Sequence, residues 1–160
     1  LPVLLRKRVP REVNHFRIGE TAFLGRTLDT GKVFKNLSPR AFDFSAVILE
    51  LEKKVQVPEG ILSDANVGHT ADFEGDEKGD PFKKIYRAIL DFGELDVDVD
   101  GLTPLDDTVQ FAGTTSDMTV YTLGEKKRKY TVGSKIHFNP NYIAIARIMN
   151  SRYITKEIKT

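Results

Sequence analysis

The sequence predicts a mainly antiparallel β domain, either a barrel or a sandwich, with one short helix near residues 140–150. Apolar and polar residues alternate in several short segments, and turns containing glycine or proline separate these segments. Several short strands at such spacing are typical of all-β folds. The 160 residues, 40% of them apolar and 29% charged, suffice for one well-packed core.

The strongest strand prediction covers residues 42–57. Its apolar face switches near Ile48, from the side of Phe44 to the side of Leu51. Such a switch indicates either a β-bulge or a strand buried on both sides at its middle. Residues 84–92 alternate in the same way. Four shorter pairs continue the period of two: Val109 and Phe111, Met118 and Val120, Tyr130 and Val132, and Ile136 and Phe138.

A late segment has the period of a helix instead. The spacing i, i+3, i+4, i+7 is occupied by Tyr142, Ile145, Ala146 and Met149. We expect Asn139 to be the N-cap and Pro140 the first helical residue, where its missing N–H costs nothing. A strand remains the alternative because the segment contains β-branched residues.

Composition excludes several classes of site. The chain has no cysteine, so disulfides, thiolate zinc sites and thiol nucleophiles are excluded. No apolar run approaches the roughly 20 residues that span a bilayer, and the opening LPVLL precedes basic residues, the reverse of a signal peptide. We therefore expect a cytoplasmic protein without a membrane partner. The first residue is Leu rather than Met, as expected of a processed product or an excised piece.

The charges are balanced overall but unevenly distributed. The net charge is +1, yet residues 71–107 carry twelve acidic and four basic side chains, and residues 126–160 carry one acidic and nine basic ones. Oppositely charged segments lying side by side in one fold explain this pattern, with a subunit or ligand contact as the alternative. Nucleic acid is not expected, because no recognition motif is present and aromatic residues do not alternate with the basic ones.

One segment matches the spacing of a calcium-binding loop. Asp96, Asp98, Asp100 and Gly101, followed by Asp107, fit the pattern D-x-D-x-D-G-x5-E with Asp in the last place. The flanks favour strands rather than the required helices, and Asp is one methylene shorter than the usual Glu. An edge strand with a solvated acidic face is the alternative interpretation, and no metal site is expected.

Other catalytic signatures are absent from the sequence. His15, His69 and His137 are far apart and lack metal-ligand spacing, so solvated or hydrogen-bonded histidines are expected. The sequence contains no G-x-S-x-G elbow, P-loop or G-x-G-x-x-G motif.

Four segments resemble, in the same order, a family of pyridoxal-phosphate enzymes. They are VNHFRIGETAFLGR at 13–26, YRAILDFGELDVDVDGLTPLD at 86–106, GTTSDMTVY at 113–121 and YTVGSKIHFNPNYIAIARIMNSRYI at 130–154. The family is that of the alanine-racemase-like, fold-type III enzymes, and more narrowly its branch of predicted amino-acid racemases that includes ornithine racemase.

The resemblance implies a division of the chain and a partner. Residues 1–26 correspond to the end of a (β/α)8 barrel that binds pyridoxal 5′-phosphate, and residues 27–160 to the C-terminal β domain. Such a β domain covers the active site of the partner subunit, so a homodimer acting on a small amino-acid substrate is expected. No lysine of this chain has the context of the Schiff-base lysine, which is therefore expected outside it.

The resemblance also implies cofactor contacts. Arg17 corresponds to the arginine that faces the pyridine nitrogen, Gly19 and the N–H of Glu20 to the phosphate-binding strand end, and Tyr142 to the phosphate-binding tyrosine. The alternatives are a surface salt bridge for Arg17, an ordinary turn at Gly19 and a core position for Tyr142.

Substrate contacts are implied in two further places. Ser116 and Asp117 correspond to the loop that meets the substrate carboxylate, with a plain hairpin turn as the alternative. Glu94 stands where alanine racemases have a catalytic tyrosine, so it is the candidate base, with a solvated strand residue as the alternative. The acidic stretch 94–107 would attract a cationic side chain such as that of ornithine. Outside the family, the alternative function is a non-catalytic β-barrel module for protein interaction or calcium binding.

Overall fold

The computed structural model describes residues 9–34, 36–55, 69–70, 83–125 and 129–158. The chain divides into two compact units, Leu1–Asp43 and Phe44–Thr160. The division predicted from the resemblance, at residue 26, stays a prediction.

Among its described residues, the first unit contains one short helix, α1 (Glu20–Leu24), which ends at Gly25 in the left-handed conformation. A Cβ atom on Gly25 would lie 2.4 Å from the carbonyl oxygen of Ser38, so this turn requires glycine. The short strand expected to end at Gly19 is wrong for the described residues, since 13–19 have no regular structure. A strand forms only where a second strand satisfies its backbone groups, and none of the described residues pairs with 13–19.

The second unit is built on one six-stranded antiparallel sheet. Its strands are β1 (Phe44–Val55), β2 (Lys84–Leu90), β3 (Leu102–Pro104), β4 (Gln110–Thr114), β5 (Thr119–Gly124) and β6 (Lys135–Pro140). Their order in the sheet is β3-β6-β1-β2-β5-β4. Two helical elements accompany them, a 3-10 turn (Val99–Gly101) and the helix α2 (Tyr142–Asn150).

The central strand β1 changes partner at its middle. Its first residues pair with β6, and from Ile48 onward it pairs with β2, with a register shift between Ile48 and Glu50. Leu49, at the shift, is 49% exposed, whereas Ile48 is fully buried. The β-bulge predicted from the switch of apolar face is therefore confirmed, and it bends the strand.

The bent sheet curls into a nearly closed barrel around its core. Although β5 and β6 are separated by two strands in the sheet, the rings of Tyr121 and Phe138 are 5.2 Å apart. Phe92 packs edge-on against Phe44, with ring centroids 5.1 Å apart. The predicted fold class, a mainly antiparallel β domain with a short helix near residues 140–150, is confirmed.

Helix α2 begins later than the sequence indicated. Pro140 is the last residue of β6 and pairs with Leu102, so Asn139 and Pro140 belong to the sheet. The N-cap is Asn141, whose side-chain oxygen accepts a hydrogen bond of 2.8 Å from the N–H of Ala144. The buried face also differs from the prediction: Ile145 is buried as expected, together with Ala144, whereas Ala146 and Met149 are exposed.

Two further local predictions are wrong. Residues 130–132 do not form a strand, and a turn begins at Val132. In β5 the faces are exchanged, since Thr119 is buried and Met118 exposed. A buried threonine is tolerated there because its hydroxyl donates to the carbonyl oxygen of Phe92 at 2.8 Å.

The alternating Asp/Val segment is not an edge strand either. Residues 94–101 form turns and the 3-10 helix, in which Val97 and Val99 belong to the core. The alternation of valine and aspartate therefore reflects a tight chain path that buries two valines. Within the described residues, no helix is long and apolar enough to cross a membrane.

Candidate active site around Glu94

Glu94 lies in a tight turn that follows β2. The N–H groups of Asp96 and Val97 donate to the carbonyl oxygen of Gly93 at 3.0 and 3.2 Å, and the Asp96 carboxylate accepts from the Gly93 N–H at 3.2 Å. Phe92, before the turn, is buried in the core. The turn thus holds the Glu94 side chain, which is only 21% exposed, in a defined place.

The same turn packs against the hairpin between β4 and β5. The N–H groups of Glu94 and Leu95 donate to the carbonyl oxygens of Thr115 and Ser116, each at 3.0 Å. A Cβ atom on Gly93 would lie 2.4 Å from the backbone nitrogen of Asp117, so only glycine allows this approach. The structure therefore brings three predicted site residues together: Glu94, Ser116 and Asp117.

The hairpin is ordered by its own side chains. The Ser116 hydroxyl donates to the Asp117 carboxylate at 3.0 Å, and the Thr115 N–H donates to the carbonyl oxygen of Met118 at 2.8 Å. It is a hairpin turn, as the alternative interpretation held.

Four charged or titratable residues surround Glu94, and with it they are called the Glu94 cluster below: His69, Asp98, Asp100 and Arg147. His69 Nδ1 lies 3.6 Å from one carboxylate oxygen of Glu94, and Arg147 Nη1 lies 3.9 Å from the other.

The remaining contacts complete the cluster. His69 Nε2 is 3.1 Å from the carboxylate of Asp100, and Arg147 Nη1 is 3.3 Å from that of Asp98. His69 and Arg147 thus each bridge Glu94 to one aspartate.

Burial is the main influence on the charge of Glu94. Loss of water around the side chain raises the pKa of Glu94, and the neighbouring carboxylates Asp100 and Asp98 raise it further. His69 and Arg147 act in the opposite direction by favouring the ionised form, and the net result is a raised pKa. A partly buried carboxyl with a raised pKa is typical of a group that exchanges a proton during catalysis.

His69 is a functional candidate that the sequence did not reveal. The expectation of a solvated or hydrogen-bonded histidine is confirmed by its contact with Asp100. In addition, its ring lies 5.1 Å from that of Phe111 and within the Glu94 cluster. Its contact with Asp100 spans 31 positions of sequence, so no local motif could indicate it. His15 is exposed.

Helix α2 supplies Arg147 to the cluster, while Tyr142 begins the same helix. The N–H of Asn141, just before the helix, donates to the carbonyl oxygen of Gly101 at 2.7 Å and ties α2 to the 3-10 turn. Tyr142 is half-buried. Five residues separate it from Arg147, which on a helix places the two side chains on different faces.

The other predicted cofactor residues belong to the first unit. Arg17 is exposed, Gly19 directly precedes α1, and Glu20 is the first residue of that helix. Gly19 has no side chain that could cap the helix. These three residues lie close together in the chain, on a different unit from Glu94.

The structure gives the calcium interpretation no support. Asp98 and Asp100 form ion pairs with Arg147 and His69, and Asp96 accepts a backbone N–H within its own turn. Among the described residues, no group of three or more potential ligands could hold a metal ion.

A second polar region lies around Asp106. Its carboxylate accepts hydrogen bonds from the hydroxyl of Thr108 at 2.6 Å, the N–H of Thr108 at 3.1 Å and the hydroxyl of Tyr130 at 2.9 Å. These donors lower the pKa of Asp106, the Thr108 hydroxyl most strongly. An adjoining cavity of about 240 Å³ is lined by Leu105, Asp106, Lys129, Tyr130, Lys135 and His137.

Comparison with known proteins points to racemases of basic amino acids. Over 150 residues, 94% of this chain, the sequence is 31% identical to an ornithine racemase of Acetoanaerobium sticklandii. Over 151 residues, 92% of this chain, it is 32% identical to a lysine racemase of Thermotoga maritima.

The chain spans only about two-fifths of these relatives, 41% and 40% of their lengths. No family model and no solved structure matches it. The resemblance to the ornithine racemase branch is thus confirmed as sequence similarity. The fold-type III assignment stays a prediction.

Proposed function

We propose that this chain is part of a pyridoxal-phosphate-dependent amino-acid racemase. The observation that carries the proposal is similarity of about one residue in three to an ornithine and a lysine racemase, extending over more than nine-tenths of the chain. The placement of Glu94 beside Ser116 and Asp117 supports it, because the resemblance assigned these residues to one site.

In the proposed reaction Glu94 is one of two groups that exchange a proton with the substrate Cα. Racemisation needs a base on one face of Cα and an acid on the other. The raised pKa of Glu94 suits a carboxyl that takes up a proton in one direction and returns it in the other. The group on the opposite face is the Schiff-base lysine, expected outside this chain.

The residues expected to hold the cofactor fit its chemistry. When bound, pyridoxal phosphate supplies an electron sink that weakens the Cα–H bond. Arg17 would face the ring nitrogen and, because a guanidinium keeps its proton, would leave that nitrogen unprotonated. The resemblance assigns phosphate contacts to the N–H of Glu20, which follows the side-chain-free Gly19, and, independently, to the hydroxyl of Tyr142.

The proposed substrate is a basic amino acid, ornithine or lysine. Both relatives are named for such substrates. The Glu94 cluster holds three carboxylates and one guanidinium within one small region, and this excess of negative charge favours a cationic side chain nearby. A homodimer in the cytoplasm, as the resemblance implies, is part of the same proposal.

The full-length protein that contains this chain provides the test. Purified with pyridoxal phosphate, it is expected to convert L-ornithine or L-lysine to an equal mixture of enantiomers, measured by chiral chromatography, and to act far more slowly on L-alanine. No conversion of any of the three would contradict the proposal. Efficient conversion of alanine alone would retain the racemase and reject the basic substrate.

The 160-residue chain alone is expected to be inactive. It should neither racemise amino acids nor show the visible absorbance of lysine-bound cofactor, because the Schiff-base lysine is missing. Borohydride reduction that fixes the cofactor to a lysine of this chain would overturn this expectation.

Arg17 provides a separate test of the cofactor contacts. In the full-length protein, Arg17→Glu would let the ring nitrogen hold a proton, so racemisation should fall and the visible spectrum should change, with transamination as a side reaction. Arg17→Lys should be milder, because an ammonium lacks the planar fork of the guanidinium. An unchanged rate and spectrum in Arg17→Glu would remove this residue from the cofactor site.

A further inference from the structure

The imidazole of His69 has a fixed position between two carboxylates. Its backbone is anchored to β4, since the His69 carbonyl oxygen accepts the N–H of Thr114 at 2.8 Å and Thr70 forms a β-bridge with Gly113. The ring itself lies against Phe111. Asp100 and Glu94 therefore face opposite nitrogens of a ring whose place the sheet determines.

The contact with Asp100 determines which nitrogen carries the proton in the neutral ring. The Asp100 carboxylate can only accept, so at 3.1 Å His69 Nε2 is the donor. Nδ1 then faces Glu94 at 3.6 Å, which is too long for a hydrogen bond but close enough for a strong effect of charge.

Of the charged groups that face Glu94, His69 has the largest effect: it lowers the pKa of Glu94, as Arg147 does, whereas Asp100 and Asp98 raise it. Unlike a guanidinium, an imidazole can be charged or neutral near neutral pH. A protonated His69 stabilises the ionised form of Glu94 and so lowers its pKa. A neutral His69 does not provide this stabilisation.

We propose that His69, held by Asp100, is a positioning residue for Glu94 and controls whether this carboxyl is ionised when it meets the substrate. The inference rests on the proposed function, in which Glu94 exchanges a proton with the substrate. It assigns a role to a residue that lies outside the four segments carrying the family resemblance.

The effect of His69 on the ionisation of Glu94 is tested by titrating the Glu94 carboxyl and following it by carbon-13 NMR of the protein. His69→Gln removes the imidazole that lowers the pKa of Glu94, so it is expected to move the Glu94 midpoint to higher pH. His69→Phe keeps a ring against Phe111 and should do the same, which provides a second variant if the first fails to fold. The matched control is His137→Gln, in β6 and outside the cluster, which should leave the midpoint unchanged.

The catalytic part is tested by the pH profile of kcat/KM in the full-length protein. The acidic limb should move to higher pH in His69→Gln, and on that limb the rate falls about tenfold for each pH unit of displacement. His137→Gln should retain the original profile. A merely structural role of His69 would lower the rate without moving the limb.

The outcomes distinguish the role of His69 from the assignment of Glu94 as a group that exchanges a proton with the substrate. If the Glu94 midpoint is the same in wild type, His69→Gln and His69→Phe, the coupling is absent and the role of His69 is rejected, whatever the activity. If the midpoint moves but the pH profile does not, the role of His69 in the reaction is rejected. If Glu94→Gln is then also fully active, the assignment of Glu94 in the proposed function fails as well.

Discussion

Glu94 and Asp106 are carboxylates of the same β unit, and their surroundings act on them in opposite directions. Burial and two neighbouring aspartates raise the pKa of Glu94. Hydrogen bonds from Thr108 and Tyr130 lower the pKa of Asp106. A carboxylate that accepts several hydrogen bonds stabilises the fold in its ionised form. A carboxylate that is partly buried near other carboxylates takes up a proton more readily.

The positions of the two residues in the fold fit this difference. Asp106 organises a loop between β3 and β4 and ties it to Tyr130 through a bond of 2.9 Å. Glu94 lies where the turn after β2, the β4–β5 hairpin and helix α2 meet. Convergence of several elements on one titratable group is what a site for chemistry needs.

The largest expected effect separates the two carboxylates by activity. In the full-length protein, Glu94→Gln should lower the rate of racemisation by about 10²–10⁴, the usual contribution of a general acid–base group. Asp106→Asn should leave the rate near that of the wild type, because its carboxylate is engaged by Thr108 and Tyr130. Equal losses in both variants, measured by chiral chromatography, would remove the functional distinction.

The second effect concerns the glycine that allows the turn to approach the hairpin. Gly93→Ala would place a Cβ 2.4 Å from the Asp117 backbone, so the backbone must shift, at a cost of about 2–3 kcal/mol. For a chain of this length that cost should lower Tm by roughly 4–12 °C.

Gly113→Ala is the matched control for Gly93→Ala. Its Cβ would meet no atom closer than 3.4 Å, so Tm should change little. A tolerated Gly93→Ala, with Tm equal to that of the control, would show that the turn and the hairpin are not in close contact.

A smaller effect concerns stability and its dependence on pH. Asp106→Asn should cost about 1–2 kcal/mol of unfolding free energy at pH 7, because charge-assisted hydrogen bonds are weakened. Since the pKa of Asp106 is lowered by folding, this stabilisation is present above the pKa of the unfolded chain and disappears as pH falls through the folded value.

Glu94→Gln should behave in the opposite way. Since the pKa of Glu94 is raised by folding, its stabilising contribution is complete below the unfolded pKa and is lost as pH rises through the folded value. The variant should therefore be as stable as the wild type or slightly more so at pH 7, without that advantage in acid. Urea titrations at pH 7 and near pH 3.5 measure the unfolding free energy of Asp106→Asn and Glu94→Gln relative to wild type. If this difference changed in the same direction with pH in both variants, the two expectations would be contradicted.

The smallest expected effect is that of calcium. Because Asp98 and Asp100 already pair with Arg147 and His69, millimolar calcium should leave Tm nearly unchanged. Specific binding at 100 times Kd would add about 2.7 kcal/mol and raise Tm by several degrees. A rise of that size, abolished by Asp98→Ala, would restore the calcium interpretation.

The sequence was informative where hydropathy alone decides the structure. The switch of apolar face near Ile48 predicted the bulge in β1. It misled where a polar residue is buried with its hydrogen bonds satisfied, as Thr119 is in β5. The start of α2 was also misplaced, because Asn139 and Asn141 are equally good caps and only pairing with β3 decides between them.

For the candidate site, the resemblance marked Glu94, Ser116 and Asp117, which periodicity alone could not indicate. The structure brings these residues close together through backbone contacts between a turn and a hairpin, and their roles stay a prediction. His69 carried no signal, because its partners come from distant segments and a single histidine has no motif. Only the folded chain shows that it faces Glu94.

The contrast between Glu94 and Asp106 is tested most directly by titrating both carboxyls in one sample of the wild-type protein by carbon-13 NMR. Glu94 should titrate above the ordinary glutamate value of about 4.3, and Asp106 below the ordinary aspartate value of about 3.9. Two ordinary values, or an Asp106 midpoint above that of Glu94, would contradict the assignment of one carboxylate to chemistry and the other to stability.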